Sequence, residues 1–169
     1  MRTAILAVVA AVGLPSVALA QGPAERLVGA WEAVEDQGLG PDGEVVARDT
    51  TVMGLLVYTP EGRMAVQLMY QGRPEVSTAN DEVSTGVGLG RIRWDADDAR
   101  AAIDTYDAYF GRYEIDPDRN LVTHVVEGEQ RPAGVGARYG RHFESRGDEL
   151  WLTPENPAEG WRVVWRRVR

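Results

Sequence analysis

Two consecutive runs decide the fold of this chain: Leu121-Val-Thr-His-Val-Val-Glu127 and Arg138-Tyr-Gly-Arg-His-Phe-Glu144. Together they contain both histidines of the protein. On a β-strand, alternate side chains share a face. His124 therefore shares the more apolar face of the first strand with Val122 and Val126.

The second run has the same alternation. Tyr139, Arg141 and Phe143 share one face, and His142 lies on the opposite, more polar face. If both apolar faces point into one core, His124 and Arg141 point inward and His142 points to water. A buried histidine or arginine is costly unless it is paired, so this pair is the first functional candidate.

The segments on either side of these runs also indicate strands. A hairpin is predicted around Pro60-Glu-Gly62, where proline and glycine suit a tight turn. The other predicted strands alternate in polarity or are continuously apolar, and they are Leu27–Val34, Glu44–Asp49, Val52–Thr59, Arg63–Tyr70, Arg112–Ile115, Glu149–Thr153 and Trp161–Val168. Short turns between successive strands favour an all-β fold, an antiparallel up-and-down barrel of about eight strands. Such a barrel has room for one small ligand.

One α-helix is predicted in the middle of the chain, over Trp94–Phe110. Asp95 is a plausible N-cap, and Gly111 is a plausible end. Apolar residues follow at helical spacing, and they are Ala99, Ala102, Ile103, Tyr106 and Phe110. Tyr106 and Tyr109 are expected to pack this helix down, the alternative being that one hydroxyl lines a cavity. The polar, glycine-containing stretch Gln71–Ile92 before it is predicted to be a long loop.

The first twenty residues have the features of a secretory signal peptide. A short basic start is followed by the apolar run Ala4–Val12 and by Ala18-Leu-Ala20, an A-x-A cleavage site. We therefore expect residues 1–20 to be removed, residues 21–169 to form a single domain, and the protein to be periplasmic or secreted. No cysteine follows the cleavage site, which argues against a bacterial lipid anchor, and no later apolar run is long enough for a transmembrane helix.

The composition excludes several kinds of chemistry. The chain has no cysteine, so thiol catalysis and cysteine-ligated metals are ruled out. Every cationic residue is arginine, so a lysine Schiff base is impossible. A formal charge of −8 argues against nucleic acid or anionic lipid as a partner. The two histidines on opposite faces predict no metal site, and no cofactor is predicted.

The order of short motifs resembles the lipocalin-like domain family of bacterial and fungal proteins. The matching motifs cover nearly all of residues 21–169, and they are Leu-Val-Gly-x-Trp (27–31), Gly-Leu-Leu-Val-Tyr-Thr-Pro-x-Gly-Arg-Met (54–64), Tyr-x-x-Tyr-Phe-Gly-x-Tyr (106–113), Val-Thr-His-x-Val-Glu-Gly (122–128), Pro132, Arg141-x-Phe143 and Trp165-x-Arg167. The resemblance implies a calycin-type barrel. It also implies that Trp31 lies across the closed end, with Arg167 (or Arg166) packed on its ring as a structural cation–π pair.

The resemblance places His124, Glu127 and Arg141 at matching motif positions. Arg141 suits a carboxylate or enolate oxygen, and His124 suits an acid, a base or a ligand contact. Glu127 faces away from His124 on a regular strand. The candidate ligand-binding residues are therefore His124, Arg141, Tyr58, Tyr113 and Tyr139.

Three functions remain open from the sequence. The first is binding of a small, mostly apolar or amphipathic molecule, oriented by His124 and Arg141. The second is a small cofactor-independent isomerase, cyclase or hydratase that uses His124 as acid or base. The third is a structural or interaction barrel with a filled core, in which these residues form a satisfied polar network.

Overall fold

Antiparallel strands account for most of the chain that the computed structural model describes, residues 22–71 and 96–169. The strands are β1 Gly29–Leu39, β2 Val45–Asp49, β3 Met53–Tyr58, β4 Arg63–Met69, β5 Tyr106–Asp116, β6 Leu121–Glu129, β7 Arg138–Arg146, β8 Glu149–Pro154 and β9 Trp161–Arg167. The helices are α1 Pro23–Leu27, α2 Ala96–Asp104 and two single 3₁₀ turns, Pro132–Gly134 and Pro157–Glu159.

The sheet closes on itself. Strands β3 to β9 pair in chain order, and β9 returns to pair with β1, from Trp31 opposite Arg167 to Gly38 opposite Trp161. Strand β2 pairs only with the second half of β1, so the closed ring contains eight strands. This confirms the predicted up-and-down barrel, with β2 as the short edge strand expected at Glu44–Asp49. Closure leaves no unpaired edge along the ring.

The hairpin of β3 and β4 shows why these residues form strands. Its register sets Tyr58 opposite Met64 and Leu56 opposite Val66, and all four side chains are buried. The turn between the strands needs Gly62, whose φ of 82° is unfavourable for residues with a Cβ. The alternation predicted from the sequence therefore points the apolar set into the barrel.

The predicted helix over Trp94–Phe110 was wrong in its second half. Helix α2 ends at Asp104, and Tyr106 begins β5 in register with Met69 of β4. Strand pairing with β4 outweighs the helical spacing of the apolar residues. Aromatic residues such as Tyr106 and Phe110 also favour strands. The predicted N-cap, Asp95, lies outside the described residues.

Gly111 likewise lies inside β5 and does not end a helix. A Cβ at this position would sit 2.0 Å from the Val125 carbonyl oxygen, so only glycine permits the approach of β6. The register between β5 and β6 shifts by one residue between Phe110 and Gly111. This β-bulge is a common use of glycine in a strand.

Two other predictions concern residues that the structure does not describe. The signal peptide, residues 1–20, and nearly all of the predicted loop Gln71–Ile92 lie outside the described ranges. Within those ranges, no helix has both the length and the apolar character that crossing a membrane requires.

Candidate functional site

A cavity of about 320 Å³ occupies the interior of the barrel. Most of the side chains around it are apolar or aromatic, and they are Leu56, Val66, Leu68, Leu152, Trp161, Val163 and Trp165. The remaining lining residues are polar, and they are Asp36, Tyr70, Asp107, Tyr109, His124 and Arg141. The cavity is therefore an apolar chamber with a small set of polar groups.

His124 is held in this wall between two tyrosine hydroxyls. The side chain is 1% exposed, as the alternation of β6 predicted, and Val122 and Val126 are buried beside it. Its Nε2 atom lies 2.5 Å from the Tyr58 hydroxyl oxygen, and its Nδ1 atom lies 2.9 Å from the Tyr109 hydroxyl oxygen. Both ring nitrogens are thus occupied by protein groups.

Burial keeps the His124 ring neutral. Removal from water, with a smaller contribution from the nearby Arg141 cation, lowers the pKa of His124 from 6.5 to about 3. A neutral imidazole has one N–H donor and one acceptor nitrogen. One tyrosine therefore donates to the ring, and the other accepts from it.

The surroundings of the two tyrosines decide which one donates. Tyr58 is 1% exposed, and His124 is the one hydrogen-bond partner of its hydroxyl among the described residues. If Tyr58 accepted, its own proton would be buried without an acceptor, at a cost of about 1–3 kcal/mol. The favoured order is that Tyr58 donates to Nε2 and the Nδ1–H donates to Tyr109. The proton of the Tyr109 hydroxyl then remains available to the cavity that Tyr109 lines.

Arg141 reaches the cavity from β7, opposite Val122 of β6. Its side chain is 13% exposed, and its guanidinium carbon lies 4.8 Å from the Trp161 ring centre and 5.2 Å from that of Tyr139. Nη1 donates to the Gly140 carbonyl oxygen at 2.9 Å and lies 4.0 Å from a Glu159 carboxylate oxygen. No other hydrogen bond or ion pair of this guanidinium involves a residue in ranges 22–71 and 96–169.

Trp165 contributes an unpaired donor. It lines the cavity from β9 and is 2% exposed. Its buried indole N–H has no hydrogen-bond partner in the part of the chain that is described. Buried donors without partners are uncommon, and each one calls for an explanation.

Acidic groups lie in a more exposed part of the lining. Asp107 forms an ion pair with Arg131 at 3.2 Å, and about two-fifths of its side chain is exposed. Partial burial, with repulsion from Asp49, raises the pKa of Asp36. Burial likewise raises the pKa of Tyr70, beside these two aspartates.

The other sequence-predicted residues stand behind or outside the cavity wall. The Tyr113 hydroxyl donates to the Thr59 carbonyl oxygen at 2.7 Å, and its ring packs edge-on against Tyr58, 4.9 Å between centres. The Tyr139 hydroxyl donates to Glu129 at 2.9 Å. Neither of these rings, nor that of Tyr58, is among the described residues that line the cavity.

Glu127 and His142 point away from the cavity, as the alternation predicted. Glu127 forms ion pairs with Arg63 at 2.8 Å and Arg112 at 3.0 Å, and these arginines lower the pKa of its carboxyl. His142 is partly exposed. No cluster of three or more metal-ligating side chains occurs within the described ranges.

Tyr109 is the functional candidate that the sequence analysis did not place in the site. It was assigned to a helix, although the possibility of a cavity-lining hydroxyl was noted. The signal that could have located it is the alternation along β5, where Asp107, Tyr109, Gly111, Tyr113 and Ile115 share one face.

The predicted Trp31–Arg167 contact is present at the other end of the barrel. The guanidinium carbon of Arg167 lies 4.0 Å from the Trp31 ring centre. Its nitrogens donate to the Val28 carbonyl oxygen at 2.9 Å and to the Arg26 carbonyl oxygen at 2.6 Å. The Trp31 indole donates to the Leu27 carbonyl oxygen at 2.9 Å, so both members of the pair donate to the backbone.

Comparisons with known proteins identify relatives of this chain. A family model described as a lipocalin-like domain matches residues 28–168. Two solved structures are similar over 84% of this chain, each with a TM-score of 0.43. One is a lipocalin-like protein from Bacteroides uniformis, 12% identical and covered over 98% of its length. The other is an uncharacterized protein from Bacteroides eggerthii, 13% identical and covered over 99%. No functionally curated protein matches.

Proposed function

Because this chain belongs to the lipocalin-like domain family, we propose that it binds a small, mostly apolar molecule inside its barrel. The observation that carries the proposal is the cavity of about 320 Å³, which has mainly apolar walls and a few buried polar groups. That combination is typical of small-molecule sites, whose volumes begin near 300 Å³. The apolar walls supply affinity, and the polar groups orient the ligand.

His124 and Arg141 have different roles in this proposal. Arg141 lines the cavity with most of its N–H donors unused by the described residues, so it contacts the ligand. Both ring nitrogens of His124 are hydrogen-bonded, one to Tyr58 and one to Tyr109, so His124 acts by holding the Tyr109 hydroxyl in place. This division supports binding over acid–base catalysis, because neither nitrogen of His124 is free to exchange a proton with a substrate.

The proposal of a filled, purely structural barrel has less support. A close-packed core leaves few voids larger than a water molecule, whereas this cavity is many times that size.

A cavity-filling substitution tests the proposal. The probe is N-phenyl-1-naphthylamine, a neutral aromatic amine whose fluorescence rises in apolar surroundings. Leu68 is buried in the cavity wall, and its neighbour Gln67 is exposed on the outside of β4. We expect the wild-type protein and Gln67→Phe to bind the probe and Leu68→Phe to lose it, because the added ring occupies the chamber.

Two results would count against binding in the barrel. One is an absence of any probe signal with the wild-type protein. The other is an equal signal from Leu68→Phe and Gln67→Phe, which would place the probe on the outer surface. Circular dichroism of both variants checks that each remains folded.

We also propose that the protein is exported and that cleavage follows Ala20. The support is the basic start, the apolar run and the A-x-A site in residues 1–20. Cell fractionation with N-terminal sequencing tests this, with Gln21 expected as the first residue of the exported form. An intact N-terminus in the cytoplasmic fraction would refute it.

A further inference from the structure

Two of the polar side chains that line the cavity have hydrogen-bond donors to spare. The Tyr109 hydroxyl accepts from His124, which leaves its proton free for the cavity. Arg141 adds a guanidinium whose hydrogen bond and ion pair to described residues both use Nη1. A ligand group that meets these two side chains must accept hydrogen bonds.

The direction of the hydrogen bonds between Tyr58, His124 and Tyr109 also requires the ligand to accept. Since Tyr58 has no alternative acceptor among the described residues, the chain Tyr58 to His124 to Tyr109 runs in one direction. It ends on a donor that faces the ligand. A ligand hydroxyl or amine that needs to donate at this point would meet another donor.

The charge in this region is also unbalanced. Among the described residues, the carboxylate nearest to Arg141 is that of Glu159, at 4.0 Å; it is 42% exposed and already accepts from the Trp161 indole. A positive charge with weak compensation in a mostly apolar chamber favours an anion. The flat guanidinium fork fits the two oxygens of a carboxylate.

Two carboxylates line the same cavity, so they must be weighed as well. Asp107 is neutralised in part by Arg131. Asp36 is partly buried, and this burial, with repulsion from Asp49, raises the pKa of its carboxyl. The Asp107 side chain is 41% exposed, more than Arg141, His124 and Trp165, and it is therefore suited to the rim more than to the deepest part of the chamber.

From these contacts we infer that the ligand is an apolar molecule with an ionised carboxylate. Arg141 is the charge partner, and the Tyr109 hydroxyl is the hydrogen-bond donor beside it. This inference rests on the proposed binding function and names the chemical class of its ligand. His124 and Tyr58 are positioning residues, since they act through Tyr109.

Three eight-carbon molecules of the same shape test this inference. Octanoate, octan-1-ol and octylamine each compete with N-phenyl-1-naphthylamine for the protein of residues 21–169 at pH 7.5. We expect octanoate to displace the probe at a concentration about tenfold below that of octan-1-ol, since a charge-assisted hydrogen bond is worth about one order of magnitude in affinity. Octylamine should be the weakest.

Matched variants assign this preference to residues. Arg141→Met should remove the advantage of octanoate, while Arg138→Gln, on the outer face of the same strand and paired with Glu114, should keep it. Tyr109→Phe should weaken octanoate about five- to tenfold and leave octan-1-ol nearly unchanged. Tyr113→Phe is the control, because the Tyr113 hydroxyl donates to the Thr59 carbonyl oxygen and does not line the cavity.

The possible failures are distinguishable. If the probe does not bind, the proposed function itself fails. If the probe binds but octan-1-ol or octylamine displaces it at the same concentration as octanoate, the protein binds ligands in its cavity and the carboxylate inference is wrong. If the preference for octanoate survives in Arg141→Met and in Tyr109→Phe, the carboxylate lies elsewhere and the assignment of donors is overturned.

Discussion

Two arginines stack on tryptophans inside this barrel, and their surroundings differ. At the closed end, Arg167 covers Trp31 at 4.0 Å and donates to two backbone carbonyl oxygens. At the cavity, Arg141 lies 4.8 Å from Trp161 and makes one backbone hydrogen bond and one long ion pair. The Trp31 indole donates to Leu27, whereas the Trp165 indole has no partner within the described ranges.

The difference separates a structural pair from a binding pair. Where the arginine and the tryptophan both donate to backbone carbonyl oxygens, as at the closed end, the contact forms in the isolated chain and stabilises the fold. Where donors are left over in a cavity, the fold bears the cost of burying them, about 1–3 kcal/mol for each unpaired group. Substitutions at the two ends should therefore differ in how much stability they remove.

The largest expected effect is at the closed end. Trp31→Ala should lower the free energy of unfolding by about 3–5 kcal/mol, because it removes a fully buried aromatic ring and leaves a cavity. Urea denaturation of the purified protein measures this change. The control is Trp151→Ala, on the outer face under the Arg146 guanidinium, where a loss of about 1 kcal/mol is expected. Equal losses of unfolding free energy in Trp31→Ala and Trp151→Ala would show that the closed end contributes no more to stability than the outer face does.

The two arginines themselves give the sharpest form of the comparison. Arg167→Met should cost about 2–3 kcal/mol, from two lost hydrogen bonds and a lost cation–π contact. Arg141→Met should change the stability of the ligand-free protein by less than about 1 kcal/mol, because methionine fills similar space and removes a poorly paired charge. Thermal denaturation of both variants at pH 7.5 tests the contrast. An Arg141→Met protein that loses as much as Arg167→Met would make Arg141 structural.

The smallest of the three effects on stability comes from the lowered pKa of His124. Its pKa is about 3 when folded and about 6.5 when unfolded, so below pH 6.5 the unfolded chain binds an additional proton. Stability is therefore full above pH 6.5 and falls as the pH decreases toward 3. Between pH 7.5 and 5, the wild-type protein should lose about 2 kcal/mol for this reason.

Chemical denaturation across this pH range measures the loss. His124→Gln should flatten the slope, and His142→Gln, on the partly exposed outer face, should retain it. The window ends at pH 5 because carboxyls with lowered pKa values, such as Glu114 and Glu127, lose their arginine pairing only at lower pH. A slope that persists in His124→Gln would mean that other groups control the acid sensitivity.

Local alternation was sufficient to predict the inward direction of His124, Arg141 and Phe143, because a two-residue period fixes which side chains share a face. The turn at Pro60–Gly62 and the register it sets were predictable for the same reason. The closure of the ring was expected from the number of strands and from the family resemblance. The pairing of β1 with β9 confirms it.

The relationship between Tyr109 and His124 was not predictable from local patterns. Tyr106, Tyr109 and Phe110 also fit a helical spacing, and the decision in favour of a strand comes from pairing with β4, which is distant in the chain. The contact of Tyr58 with His124 joins residues 66 positions apart. Such contacts depend on the tilt and register of the whole barrel, which no single segment specifies.

The pairing of the first and last strands has a consequence for how this protein folds. Arg167 binds the Val28 carbonyl group across 139 positions of sequence. A ring that is sealed by β9 cannot form until that strand has been made, and contacts of such high sequence separation slow the folding reaction. Until β9 arrives, β1 has an open edge, so the nascent chain is most exposed to aggregation in the interval before β9 emerges.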